Sequence, residues 1–150
     1  MKFDDIMTGS AAALARPVEN VWKYPRPPRL ERTQARLRVV WEARDGHRTT
    51  IADTNQGYRV LETSHPPTYY FPPASVAQQF LRPSSARQTY CEWKGKAAYH
   101  DLVVPSGQGE GTIAAKGKIW TYPTPTTAFQ EIKVSDEGGL LFPGFFFFFF

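Results

Sequence analysis

The sequence predicts a mainly β protein, a compact antiparallel β-sandwich or barrel-like single domain with one short helix. Three observations carry that expectation. Short stretches of alternating apolar and polar residues recur along the chain, as half-buried strands require; glycine, asparagine or proline separates them; and one stretch alone, from Pro73, has helical spacing.

The first strand is RLRVVWEA (36–43), with Leu37, Val39, Trp41 and Ala43 on one face and Arg36, Arg38 and Glu42 on the other. Asp45-Gly46 turns the chain into a second strand, TTIADT (49–54), giving an antiparallel hairpin. After Asn55 to Gly57, YRVLET (58–63) is a third, setting Tyr58, Val60 and Glu62 against Arg59 and Leu61. Pro66-Pro67 and Pro72-Pro73 end it and stiffen the backbone around Tyr69 and Tyr70, which makes that stretch one wall of a pocket. PASVAQQFLR (73–82) is the helix, with Val76 and Phe80 toward the core, and Pro83 stops it. QTYCEWKG (88–95), AAYHDLVV (97–104) and TIAAKGKIWTY (112–122) complete the set, the last two flanking the glycine-rich SGQGEG (106–111).

A chain of 150 residues suits one core. We place the domain at 21–144, after a disordered lead-in over 1–20 that has two acids where a secretory signal needs its apolar centre. LLFPGFFFFFF at the other end is broken by Pro143-Gly144 and falls short of the roughly 20 apolar residues of a spanning helix. Its terminal run, Phe145 to Phe150, reads as a gene-model artefact and an aggregation hazard. The lone cysteine, Cys91, excludes an intramolecular disulfide and points to a reducing setting, the cytoplasm or the nucleus. Lys plus Arg number 18 against 14 Asp plus Glu, and much of that excess lies between Lys23 and Arg48. A solvated sheet edge explains it, and no nucleic-acid-binding motif accompanies it.

Candidate chemistry gathers on two strands. Glu62 follows Tyr58 and Val60 on one face, and Glu92 lies between Tyr90 and Lys94; either carboxylate could orient a polar ligand or serve as a base, with Arg59 or Lys94 nearby. His65, before Pro66-Pro67, is a candidate proton shuttle or a turn residue. His47 and His100 lack partners at metal-ligand spacing, so no metal site and no cofactor is predicted. Cys91 shares a face with Trp93 and reads as a core thiol, and GQGEG is not a phosphate loop. Tyr69, Tyr70, Trp93, Tyr99, Trp120 and Tyr122 are the rings that would line a cavity for a planar or sugar-like ligand.

WKYPRPPRLE (22–31), LRVVWEA (37–43), IADT (51–54), YRVLETSHPPTYYFPP (58–73), FLRPSS (80–85), YCEWKGKAAYHDLVV (90–104) and IWTYPTPTTAF (119–129) together resemble the family called domain of unknown function 427. The resemblance runs from about residue 21 to 144 and implies a small, mainly β domain. It also implies that Asp53, Arg59, Glu62, His65, Tyr69, Tyr70, Cys91, Glu92, Trp93, Lys94, Tyr99, Trp120 and Tyr122 matter, with roles unassigned. After FPG the family continues with a further strand where this chain has phenylalanines. The family's nucleotidyltransferase-like label implies a glycine turn followed by paired acids, and neither is present in this sequence.

The sequence therefore points to a β domain that binds a small molecule through LETSHPPTYY and CEWKG. An enzyme with Glu62 or Glu92 as base, assisted by His65 or Lys94, is the alternative. A nucleic-acid binder using the arginines between 26 and 48 is a third reading.

Overall fold

The computed structural model describes residues 18–106 and 109–133. The expected poly-Phe tail and residues 1–17 of the lead-in lie outside them. The described residues are mainly β, in nine strands: β1 (Arg29–Arg32), β2 (Leu37–Glu42), β3 (Arg48–Thr54), β4 (Tyr58–Leu61), β5 (Thr68–Tyr70), β6 (Leu81–Pro83), β7 (Thr89–Cys91), β8 (Gly95–Ser106) and β9 (Gly109–Thr121). All pairings are antiparallel: β1–β4–β5 form one sheet, β2–β3 a hairpin, and β8 pairs with β6, β7 and β9. Among the described residues no barrel closes, and the sheets pack against one another as in a sandwich.

The hairpin follows the expected alternation with one departure. Val39 pairs with Ala52 but Val40 with Thr50, so β3 carries an extra residue at Ile51. That bulge turns two consecutive side chains inward, and Ile51 and Ala52 are both fully buried.

The expected helix over 73–82 does not form as one element. Pro73–Ser75 and Gln78–Phe80 are separate 3₁₀ turns, and between them Val76 bridges Ala52 while the Ala77 amide donates to Ile51 O at 2.8 Å. Val76 is β-branched and sits at φ −110°, so it extends to satisfy the edge of β3. Among the described residues the longest helical stretch is instead Thr127–Ile132, itself kinked at Phe129.

Strand β8 is the hub. β6 and β7 follow one another along one of its edges, and β9 takes the other. Alternate residues of this ribbon feed two cores. Leu81, Leu102, Val104 and Ile119 join Leu37, Val39 and Ile51 from the hairpin. Ala97 and Tyr122 join Val60 and Tyr70 from β4 and β5, together with Phe129 and Ile132. The chain divides its neighbours the same way at Tyr70 and Phe71, which belong to different cores. Truncating a ring as enclosed as Phe129, 2% exposed, to alanine costs about 3–5 kcal/mol.

Candidate functional site

Lys94 ends the 92–94 turn that links β7 to β8, and Gly95 follows it at φ +100°, a conformation that favours glycine. The segment beyond β9 straps this turn down: Thr126 donates its hydroxyl to Trp93 O and its amide to Lys94 O. Glu62 enters from the opposite side, one residue past β4. Its loop is fixed by the His65 amide donating to Glu62 O at 3.0 Å, by Ser64 N–H on Val21 O, and by the Thr63 hydroxyl on Tyr24 O.

These two supports bring Lys94 Nζ to 3.7 Å from Glu62 Oε2. The Lys94 side chain is 10% exposed and that of Glu62 30%, so the lysine is the more enclosed of the two and the glutamate the more open to solvent. Nζ also lies 6.0 Å from the centroid of the Tyr122 ring, within reach of a cation–π attraction. Burial foremost, then Cys91, Tyr99 and a hydrogen bond to Cys91, push the Tyr122 hydroxyl up, so it stays protonated. Burial likewise pushes Tyr70 well above its ordinary value, with Tyr122, Cys91 and Glu62 adding to it. Glu62, Tyr70, Cys91, Lys94 and Tyr122 are thus neighbours in one polar cluster set into the second core, against which Trp93 packs.

The remaining candidates lie elsewhere. Tyr69 pairs with Arg59 and Tyr70 with Tyr58, so the adjacent tyrosines take opposite faces of β5 rather than sharing one wall. Arg59 holds Glu31 at 2.6 Å and Glu19 at 2.6 Å, and Glu19 also accepts from the Tyr24 hydroxyl at 2.7 Å. Burial opposes the Arg59 charge, but its hydrogen bonds to Glu19 and Glu31 outweigh that and raise its pKa. The same contact, with help from Tyr24, holds Glu19 below the usual carboxylate range. Tyr99 and Trp120 face each other across β8 and β9, ring centroids 6.4 Å apart. Glu92 and His65 are exposed and stand outside the cluster. Asp53 is engaged by Arg36 at 2.6 Å and by Arg38, and the Arg36 contact lowers its pKa.

Two buried titratable groups lie outside the site residues that the sequence pointed to: His100, set aside there as a metal ligand, and Asp101. Burial, against a small opposing pull from Asp101, lowers the His100 pKa to about 4, so this imidazole is neutral at pH 7. Asp101 is 7% exposed and its Oδ1 accepts from Gly117 N–H at 2.7 Å, holding a bulge in β9. A glycine inside the strand pattern was the signal for that bulge. Among the described residues no group of three or more His, Cys, Asp or Glu converges at metal-binding distance, and no helix is long and apolar enough to cross a membrane. A cavity of about 100 Å³ opens beside Tyr70, between Tyr58, Pro72, Pro73 and the 131–133 segment.

A search of curated proteins gives no match to the chain. The model of a family described as domain of unknown function (DUF427) matches residues 29–135, which takes in every strand from β1 to β9 and both sides of the Glu62–Lys94 cluster. The chain belongs to the DUF427 family.

Proposed function

We propose that the domain binds a small polar ligand at the Glu62–Lys94–Tyr122 cluster. One observation carries the reading: the ammonium of a largely buried lysine stands 3.7 Å from its carboxylate, longer than a charge-assisted hydrogen bond, over an aromatic ring. Lys94 brings three N–H donors and, among the described residues, Glu62 is its charged partner. A ligand oxygen can take the remaining donors while a ligand N–H or O–H meets the half-open Glu62. Tyr122, Tyr70 and Trp93 supply the apolar setting in which such bonds are strong.

The acid–base reading draws on the same pair, with Glu62 as base beside the Lys94 ammonium; exposure of Glu92 and His65 argues against them as partners in it. Within the basic stretch Arg36 and Arg38 are paired with Asp53, Arg48 with Glu42 and Arg29 with Glu31, and that pairing argues against these four as a nucleic-acid contact. The single thiol supports a reducing compartment such as the cytoplasm.

Thermal melts of the full chain with carboxylates, nucleotides and sugars test the proposal. A compound that raises the melting temperature of the wild type but not of Lys94→Met supports it. Equal rises in both proteins, or none with any class, would remove it. Glu62→Gln then separates the two chemistries: a binder keeps part of the ligand-induced rise, whereas an acid–base enzyme loses turnover.

A further inference from the structure

A second group of cations without ion pairs among the described residues lies outside the basic stretch of the sequence. Two adjacent rows of residues cross the β6–β8–β9 sheet. In the first, the Ser84 amide donates to Tyr99 O at 2.9 Å, and Tyr99 pairs with Trp120. In the second, Arg82 pairs with Asp101, whose carboxylate holds Gly117 between Lys116 and Lys118. Arg82 and Ser84, Tyr99 and Asp101, and Lys118 and Trp120 are each two positions apart along their strands, so both rows share one face.

The bulge is also pressed onto the loop between β6 and β7. Gly117 lies at φ +59°, and a Cβ there would stand 3.1 Å from Ala86 Cβ and 3.5 Å from Ser84 Oγ. The backbone that carries Lys116 and Lys118 therefore runs against the loop that carries Arg87, with Arg82 at the base of the same loop. All four are exposed, and none enters an ion pair among the described residues. Arg82 is steadied by donating to Gln79 O and Leu81 O. Asp101 is the acid in these rows, buried and engaged by the Gly117 amide. In the neighbouring row the Tyr99 and Trp120 rings, half-buried against the second core, are tilted 46° to each other, with the Tyr99 hydroxyl tied to Thr89 Oγ1 at 2.8 Å.

We propose that this face binds single-stranded nucleic acid, phosphates pairing with Arg82, Arg87, Lys116 and Lys118 and bases stacking against Tyr99 and Trp120. Cations alone suit any polyanion; the ordered aromatic pair in the next row favours one whose flat groups are exposed, as in a single strand. Neither Glu62 nor Lys94 takes part.

The test is fluorescence anisotropy of a labelled 15-nucleotide thymidine strand with the full chain. Four phosphate contacts predict that affinity falls about 50-fold between 50 and 200 mM salt. Lys116→Gln with Lys118→Gln, both exposed positions that leave the melt unchanged, cuts the slope of that dependence by about half. Arg44→Gln, on the hairpin turn, leaves it unchanged. No salt-dependent binding, or the same slope in the double variant as in the wild type, overturns the proposal. So does an equal loss in the Arg44 control. Competition by inorganic polyphosphate at parity with the oligonucleotide, or equal affinity for a duplex, overturns the stacking component.

Discussion

Arg59 and Lys94 are both cations that the fold draws partly out of water beside carboxylates, yet they are held in opposite ways. Arg59 meets two acids at 2.6 Å, one from β1 and one from the segment before it, and its planar fork is committed to them. Lys94 is more enclosed than Arg59, at 10% against 22% side-chain exposure, and meets a single acid at 3.7 Å. The contrast teaches where to look for function in a sheet protein with many charged pairs. A cation saturated by close partners ties segments together, and one kept loosely paired in an apolar setting retains bonding capacity.

Removing each cation in turn should break or sharpen that contrast. Arg59→Met leaves Glu19 and Glu31 crowded without a counter-charge, and about 3 kcal/mol of stability should go, as read from urea unfolding. A loss below about 1 kcal/mol would show that the network does not hold the N-terminal segment.

His100 measures what protonating an enclosed imidazole costs. Above pH 6.5 the imidazole is neutral in both states. As pH falls from 6.5, the unfolded chain takes up the proton while folded His100 resists until about pH 4, so the unfolded state binds more protons in that window. Stability should therefore fall by up to about 3 kcal/mol between pH 6.5 and 4, and His100→Phe should remove that part of the fall. Glu19 and Asp53, held below the usual carboxylate range, lose their contributions at lower pH still. An unaltered profile in the variant would count against His100 as the source.

Lys94→Met should have the smallest effect on folding, within about 1 kcal/mol, because methionine fills the enclosed stem and Glu62 can turn to water. A loss as large as that of Arg59→Met would mean that Lys94 is also structural, and would erase the distinction between the two sites.

Much of this architecture was legible in the sequence. The alternation of 37–42, 48–54 and 58–61 and the turns between them emerged as strands and turns because one buried face and one wet face leave a period of two. Less was legible where pairing outweighed local pattern. Val76 and Phe80 have helical spacing, but the open edge of β3 captures residues 76 and 77 in an extended form. At the site, Glu62 and Lys94 were both candidates, and the chain alone held no sign that a β4 terminus and the turn before β8 converge. Tyr69 and Tyr70 were grouped because they are neighbours in sequence, although a strand sends neighbours to opposite faces. Glu31 and Glu19, which hold Arg59, became visible only through tertiary packing.

The β8–β9 ribbon belongs to both cores, and that joint ownership governs how the molecule can come apart. Neither core can open without removing a wall of the other, so there is no seam along which half of the protein could be lost while half survives. Amide protons of Leu102 and Ala97, which serve different cores, should then exchange through one shared opening event, and its free energy should match that of complete unfolding.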